Sequence, residues 1–133
     1  DLIKDYENRE LQRLIMDPLL RNGLGDVAGR LAYLLGLEAG SEFTATVQEQ
    51  GRVRAVTSEE LGRACNRDEL DPKDGELLKM CDKLAAFIEA YTALRTGITS
   101  DQLTQACWRI RQQFHENPVV AGVHIGALVA DFA

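Results

Sequence analysis

The chain has 133 residues, enough for one domain that buries a real core. Hydrophobic residues make up 45% and charged residues 27%, an ordinary globular balance that excludes a disordered segment. A net charge of −6, with no run of Lys or Arg, argues against nucleic acid as a partner, because a phosphate backbone demands a basic stripe. In chain order, residues 2–20 predict a first helix. Leu2, Ile3, Tyr6, Leu14 and Ile15 keep near-helical spacing, while Glu7, Arg9, Glu10 and Arg13 give solvated flanks of mixed sign. Pro18 is expected to end, kink or restart it. After a break at Arg21-Asn22-Gly23, an Asp26 N-cap opens a second helix with Val27, Leu31, Leu34 and Leu35 on one side. Gly36 and Gly40 close it.

Residues 42–56 change character. Phe43 to Val47 and Arg52 to Val56 carry β-branched residues in partial alternation around Glu49-Gln50-Gly51, which predicts a hairpin. An isolated two-stranded ribbon is marginal alone, so it must lean on the helices or move. It reads either as a decoration on a helical scaffold or as a lid or subunit contact. Thr57-Ser58-Glu59-Glu60 is a capping box for a short helix to about Cys65, and a polar loop with Pro72 follows. A long helix is predicted over about 74–96. A second capping box, Thr99-Ser100-Asp101-Gln102, opens a helix to about Glu116 with Leu103, Ala106, Cys107, Ile110 and Phe114 inward and Trp108 at one edge. Asn117-Pro118 leads into a final small-residue helix.

Cys65, Cys81 and Cys107 are odd in number and widely spaced, so they read as reduced packing residues and point to a cytoplasmic location. No signal-peptide core stands at the charged N-terminus. The longest apolar tract, Val119 to Ala130, is too short for a membrane span and is interrupted by Gly122, His124 and Gly126, so no membrane partner is expected.

The most informative helix is the fifth segment. Leu77, Cys81, Leu84, Ile88 and Tyr91 recur at spacings of four and three and predict one buried stripe. Asp82 points almost to the opposite side, where Leu78, Ala85, Ala86 and Ala93 stand in place of the usual polar residues, with Glu89 one flank over. A helix apolar on two sides is normally sandwiched. An aspartate enclosed there must be hydrogen-bonded, paired or bound to a cation, since a naked buried carboxylate is far too unfavourable. The alternative from the pattern alone is a surface acid that pairs with Lys79 or Lys83.

The run Leu77-Leu78-Lys79-Met80-Cys81-Asp82-Lys83-Leu84 resembles the last metal-ligand helix of the HD-domain phosphohydrolases, in particular the branch similar to 5′-deoxynucleotidases. In that family an apolar pair, Lys, two residues and Asp-Lys-Leu precede an apolar helix that stops at a Gly turn, and Gly97 falls at that place. Residues 1–20 are similar to the long acidic-basic helix that follows the family's His-Asp segment. The likeness covers about residues 1–20 and 72–115; residues 24–71 depart from the shorter helical connection usual there. The resemblance implies a mainly α, HD-domain-like bundle and a metal-dependent hydrolase of a phosphate ester, commonly of a nucleotide. The ion, a divalent transition metal such as Mn, Co, Fe or Zn, or else Mg, would lower the pKa of its water and neutralise charge on the phosphoryl oxygens. Asp82 would be the anionic metal ligand.

The family's site also takes one His from an early helix and an adjacent His-Asp pair from a second. This chain has no His-Asp dipeptide, and its histidines, His115 and His124, both follow Asp82. The chain also begins without Met, with helical periodicity already running at Leu2. The expectation is therefore the C-terminal part of a larger enzyme, whose other ligands come from elsewhere. Lys79, Lys83 and Glu89 are candidate substrate contacts. Lys79 and Lys83 could equally snorkel along the helix, and Glu89, about 10 Å along the helix from Asp82, is more often a solvated helix charge than a substrate contact. His115 is expected to cap its helix and His124 to be a hydrogen-bonded core residue. The competing reading is a non-catalytic helical interaction module whose small-residue face docks a partner. Homodimerisation is expected under either reading.

Overall fold

A computed structural model of the chain describes residues 2–132. It is mainly helical with one antiparallel hairpin, in agreement with the fold class expected. The first helical run continues through Pro18 without stopping: α1 (Leu2–Leu11), a π-helical turn (Gln12–Met16) and α2 (Asp17–Arg21) follow one another directly. Pro18 follows closely on the π-helical turn, so the run departs from regular α geometry just where the proline ring and its missing N–H would disturb an α-helix. The expected inward set of this helix is corrected. Leu2, Ile3, Tyr6, Leu14 and Ile15 are all exposed, and Met16 is the residue that is buried. Helical α3 (Gly25–Leu34) starts from Leu24, with Asp26 in its first turn and not at its cap. Its buried residues are Ala28 and Tyr33, whereas Val27 and Leu34 face outward.

Strands β1 (Thr46–Glu49) and β2 (Arg52–Ala55) pair with Glu49 opposite Arg52, so the turn is Gln50-Gly51. Both turn residues have positive φ, 52° and 75°, the conformation that matches the twist of a two-residue hairpin. The predicted first strand began too early, since pairing with β2 starts at Thr46. The ribbon leans on the scaffold as a marginal hairpin must: Ala45 and Val47 are buried, and Thr46 exchanges two backbone hydrogen bonds with Lys73, of 2.9 and 2.8 Å. The Tyr33 hydroxyl donates to the carbonyls of Thr46 and Asp71 and ties α3 to that crossing. Lys73 Nζ reaches the Tyr33 and Leu34 carbonyls at the C-terminal end of α3, and burial pushes its ammonium below the usual lysine range.

Thr57 caps the short α4 (Ser58–Glu60) by accepting from the Glu60 N–H at 3.0 Å, and a π-helical turn carries on to Cys65. Next comes α5 (Gly75–Arg95), the longest helix, capped by Asp74, which accepts from the Leu77 N–H and the Ser58 hydroxyl. Helix α6 (Asp101–Glu116) is capped by Ser100, and α7 (Ile125–Ala130) begins well after Pro118 because a tight turn at Ala121-Gly122 intervenes. Helices α5, α6 and α7 pack together around Phe87, Phe114, Ile125 and Val129, all nearly or fully buried. Phe132 closes this core edge-on to Phe87 and Tyr91, with ring centroids at 5.7 and 5.3 Å.

Gly75 joins the two halves of the molecule. A Cβ there would lie 2.5 Å from the Phe43 carbonyl carbon, so only glycine lets the start of α5 pass against the backbone leading into β1.

Candidate functional site

Helix α5 decides how the candidate residues are displayed. Its inward stripe is Leu77, Met80, Leu84, Phe87 and Tyr91, with Ala90 also buried. The predicted stripe was right at Leu77, Leu84 and Tyr91 and is corrected at Cys81 and Ile88, both exposed. Met80 and Phe87 take their places. The stripe is rotated by part of a turn, because α6 and α7 meet α5 on the Phe87 side. Phe87 is fully buried, so the helix is anchored along its whole middle.

Asp82 stands away from that anchor and is exposed. The expectation that it is enclosed between packed faces is corrected for the described residues: solvent reaches the carboxylate, and the burial penalty that would have demanded a partner does not apply. Among the described residues no salt bridge joins Asp82 to Lys79 or Lys83, so the surface-pair alternative is not realised either. Lys79 and Glu89 are exposed and Lys83 is half-buried. Lys79 and Glu89 share the outer half of the helix with Asp82, one residue short of a turn before it and two turns after it. Between them lie Leu78, Ala85 and Ala86, all exposed, and Ile88 is 37% exposed along the edge. The predicted apolar second face is therefore present, and nothing among the described residues covers it.

Among the described residues, no group of three or more His, Cys, Asp or Glu side chains comes together in a way that could hold a metal ion. Asp82 can offer one anionic oxygen donor, which suits a hard divalent cation, but one carboxylate is not a site. His115 is exposed in the last turn of α6, and His124 is exposed at the start of α7, which corrects its expected place in the core. Neither sits on α5.

The hairpin brings Arg54 to Glu49 at 3.2 Å and to Glu60 at 3.1 Å, so this basic residue is spent on internal pairing. Arg52 and Arg54 thus form no open basic patch. Across the α5–α6 side of the molecule a groove of about 360 Å³ opens between Tyr91 and Trp108. In the sequence its signal is Trp108 alone, a tryptophan at the edge of an amphipathic helix. No helix among the described residues is long and apolar enough to cross a membrane. Compared with known proteins, the chain matches no family model, no curated protein and no solved structure.

Proposed function

We propose that this chain carries the aspartate arm of an HD-type, metal-dependent phosphohydrolase acting on a phosphate ester, a nucleotide by the family likeness, with Asp82 as the anionic metal ligand. The single observation that supports this reading is the setting of Asp82. It projects from the first half of a 21-residue helix whose other side is locked by Phe87, and it opens onto a strip of small and apolar residues that nothing among the described residues covers. A ligand-bearing helix needs that combination of a rigid backbone and an accessible carboxylate. Lys79 would stand near enough to meet an anionic substrate, Glu89 would face the far end of the same strip, and Lys83 would border it.

The described residues do not complete a metal site, so the further donors in this reading come from outside them. The experiment compares metal content and nucleoside monophosphate hydrolysis for the protein made from its complete coding sequence, with and without Asp82→Ala. Loss of both with helicity intact supports the reading. Full metal content and activity in the variant overturn it.

A second reading has its own support. Leu78 is 44% exposed on the same strip, a contiguous apolar placement that suits a non-catalytic docking module or a homodimer. Under it, Leu78→Glu changes the sedimentation coefficient, and Asp82→Ala does nothing to activity or metal.

A further inference from the structure

The groove between α5 and α6 lies on the opposite side of α5 from Asp82 and owes nothing to that residue. Leu94 and Cys107 line its floor above the fully buried Phe87 ring, and one wall is the indole of Trp108, 64% exposed. A large aromatic surface left in water beside an apolar hollow is the arrangement that small-molecule sites use. The volume, about 360 Å³, is that of a site for a compact ligand and not for a helix.

Charge is the second observation. The chain carries 21 acids against 15 bases, yet among the described residues the groove is lined by Arg95 and Arg111 and by no carboxylate. Arg111 lays its guanidinium 5.9 Å from the Phe87 ring centroid and donates to the Phe132 carbonyl, which holds it at the rim. Among the described residues neither arginine forms a salt bridge. An apolar floor, one flat aromatic wall and two cations with no acidic partner among the described residues complement a flat apolar body that ends in an anion. Guanidinium groups match a carboxylate through paired hydrogen bonds.

We propose that this groove binds a small aromatic carboxylate, the ring against Trp108 and Leu94 and the carboxylate between Arg95 and Arg111. A second copy of the chain is the competing occupant, but a stable dimer needs about 800 Å² from each partner, far more than this hollow supplies.

Trp108 is the only tryptophan, so its indole N–H gives one unambiguous signal in a nitrogen-15 correlation spectrum. The test titrates the labelled chain with 1-naphthoate and, separately, with its uncharged amide, 1-naphthamide. The expected result is a saturable shift of the Trp108 indole, with naphthoate bound about ten-fold more tightly than naphthamide. Arg95→Gln, an exposed change that leaves the core alone, lowers naphthoate affinity by about the same ten-fold and leaves naphthamide unaffected. Equal affinity for the two probes, an unchanged Arg95→Gln variant, or shifts that never saturate would overturn the proposal. So would an indole signal that moves with protein concentration and ignores naphthoate, which assigns the groove to a second copy.

Discussion

Phe87 and Asp82 stand on opposite sides of one helix: the phenyl ring is fully buried in the α5–α6–α7 core, and the carboxylate is exposed. Five residues separate them, a rotation of about 140° at about 100° per residue. The helix therefore has one side for stability and another for display. Substitutions on the two sides separate these roles. Phe87→Ala removes a ring from a filled core and is expected to cost about 3–5 kcal/mol in urea unfolding. Asp82→Asn is expected to stay within about 0.5 kcal/mol of the parent chain. A stability loss at Asp82 comparable with that at Phe87 would mean that the carboxylate has a structural partner.

Gly75 and Gly29 make opposite predictions. At Gly75 an added Cβ strikes the backbone of Phe43 and Thr44, so Gly75→Ala is expected to destabilise by about 1–3 kcal/mol through forced backbone shifts. At Gly29, inside α3, nothing lies within 4 Å of the new carbon. Gly29→Ala is expected to stabilise by about 1 kcal/mol from helix propensity. Thermal unfolding of both variants checks the pair.

Asp74 caps α5 at the Leu77 N–H, 3.0 Å away, and also takes the Ser58 hydroxyl at 2.8 Å. Asp74→Ala is expected to cost about 1 kcal/mol and to raise amide exchange in the first turn of α5. Amides at residues 87–91, deep in the core, should keep their protection.

Lys4 and Glu42 pair at 3.0 Å and tie α1 to the segment before the hairpin. A hydrogen bond from its own backbone and then the Lys4 ammonium hold the Glu42 carboxyl below the usual range. Its contribution is thus present above the ordinary glutamate pKa and is lost as pH falls through the depressed value. Glu42 raises Lys4 in turn, so that side is complete below the ordinary lysine pKa and is lost as pH rises through the elevated one. The pair is partly exposed and worth less than about 1 kcal/mol. Glu42→Gln is expected to flatten the acid limb of the stability profile slightly, and 1 M salt should mimic the change in the parent chain.

Local chemistry made much of this fold readable. Thr57 caps the helix that its capping box announces, the cap of α6 falls one residue later than its box implies, on Ser100 instead of Thr99, and in the turn at Gln50-Gly51 it is Gly51 that takes positive φ freely. Burial was less legible. Cys81 and Ile88 sit at helical spacing with Leu77 and Tyr91, yet a helix apolar nearly all round has no unique inward side until its neighbours arrive. The same ambiguity misplaced Val27 and Leu34, and the α1 set from Leu2 to Ile15. Asp82 was singled out by its apolar company, which the fold retains, but its exposure depends on what covers α5. The groove was invisible in one dimension, because Phe87 and Trp108 belong to different helices and meet only through the α5–α6 packing.

The most direct test of the Asp82 assignment is elemental analysis of the protein expressed from its complete coding sequence, with Asp82→Ala alongside. The account predicts a stoichiometric divalent metal in the parent and its loss in the variant, with circular dichroism unchanged. Equal metal in both, or a metal-free parent that still hydrolyses nucleotides, would contradict it.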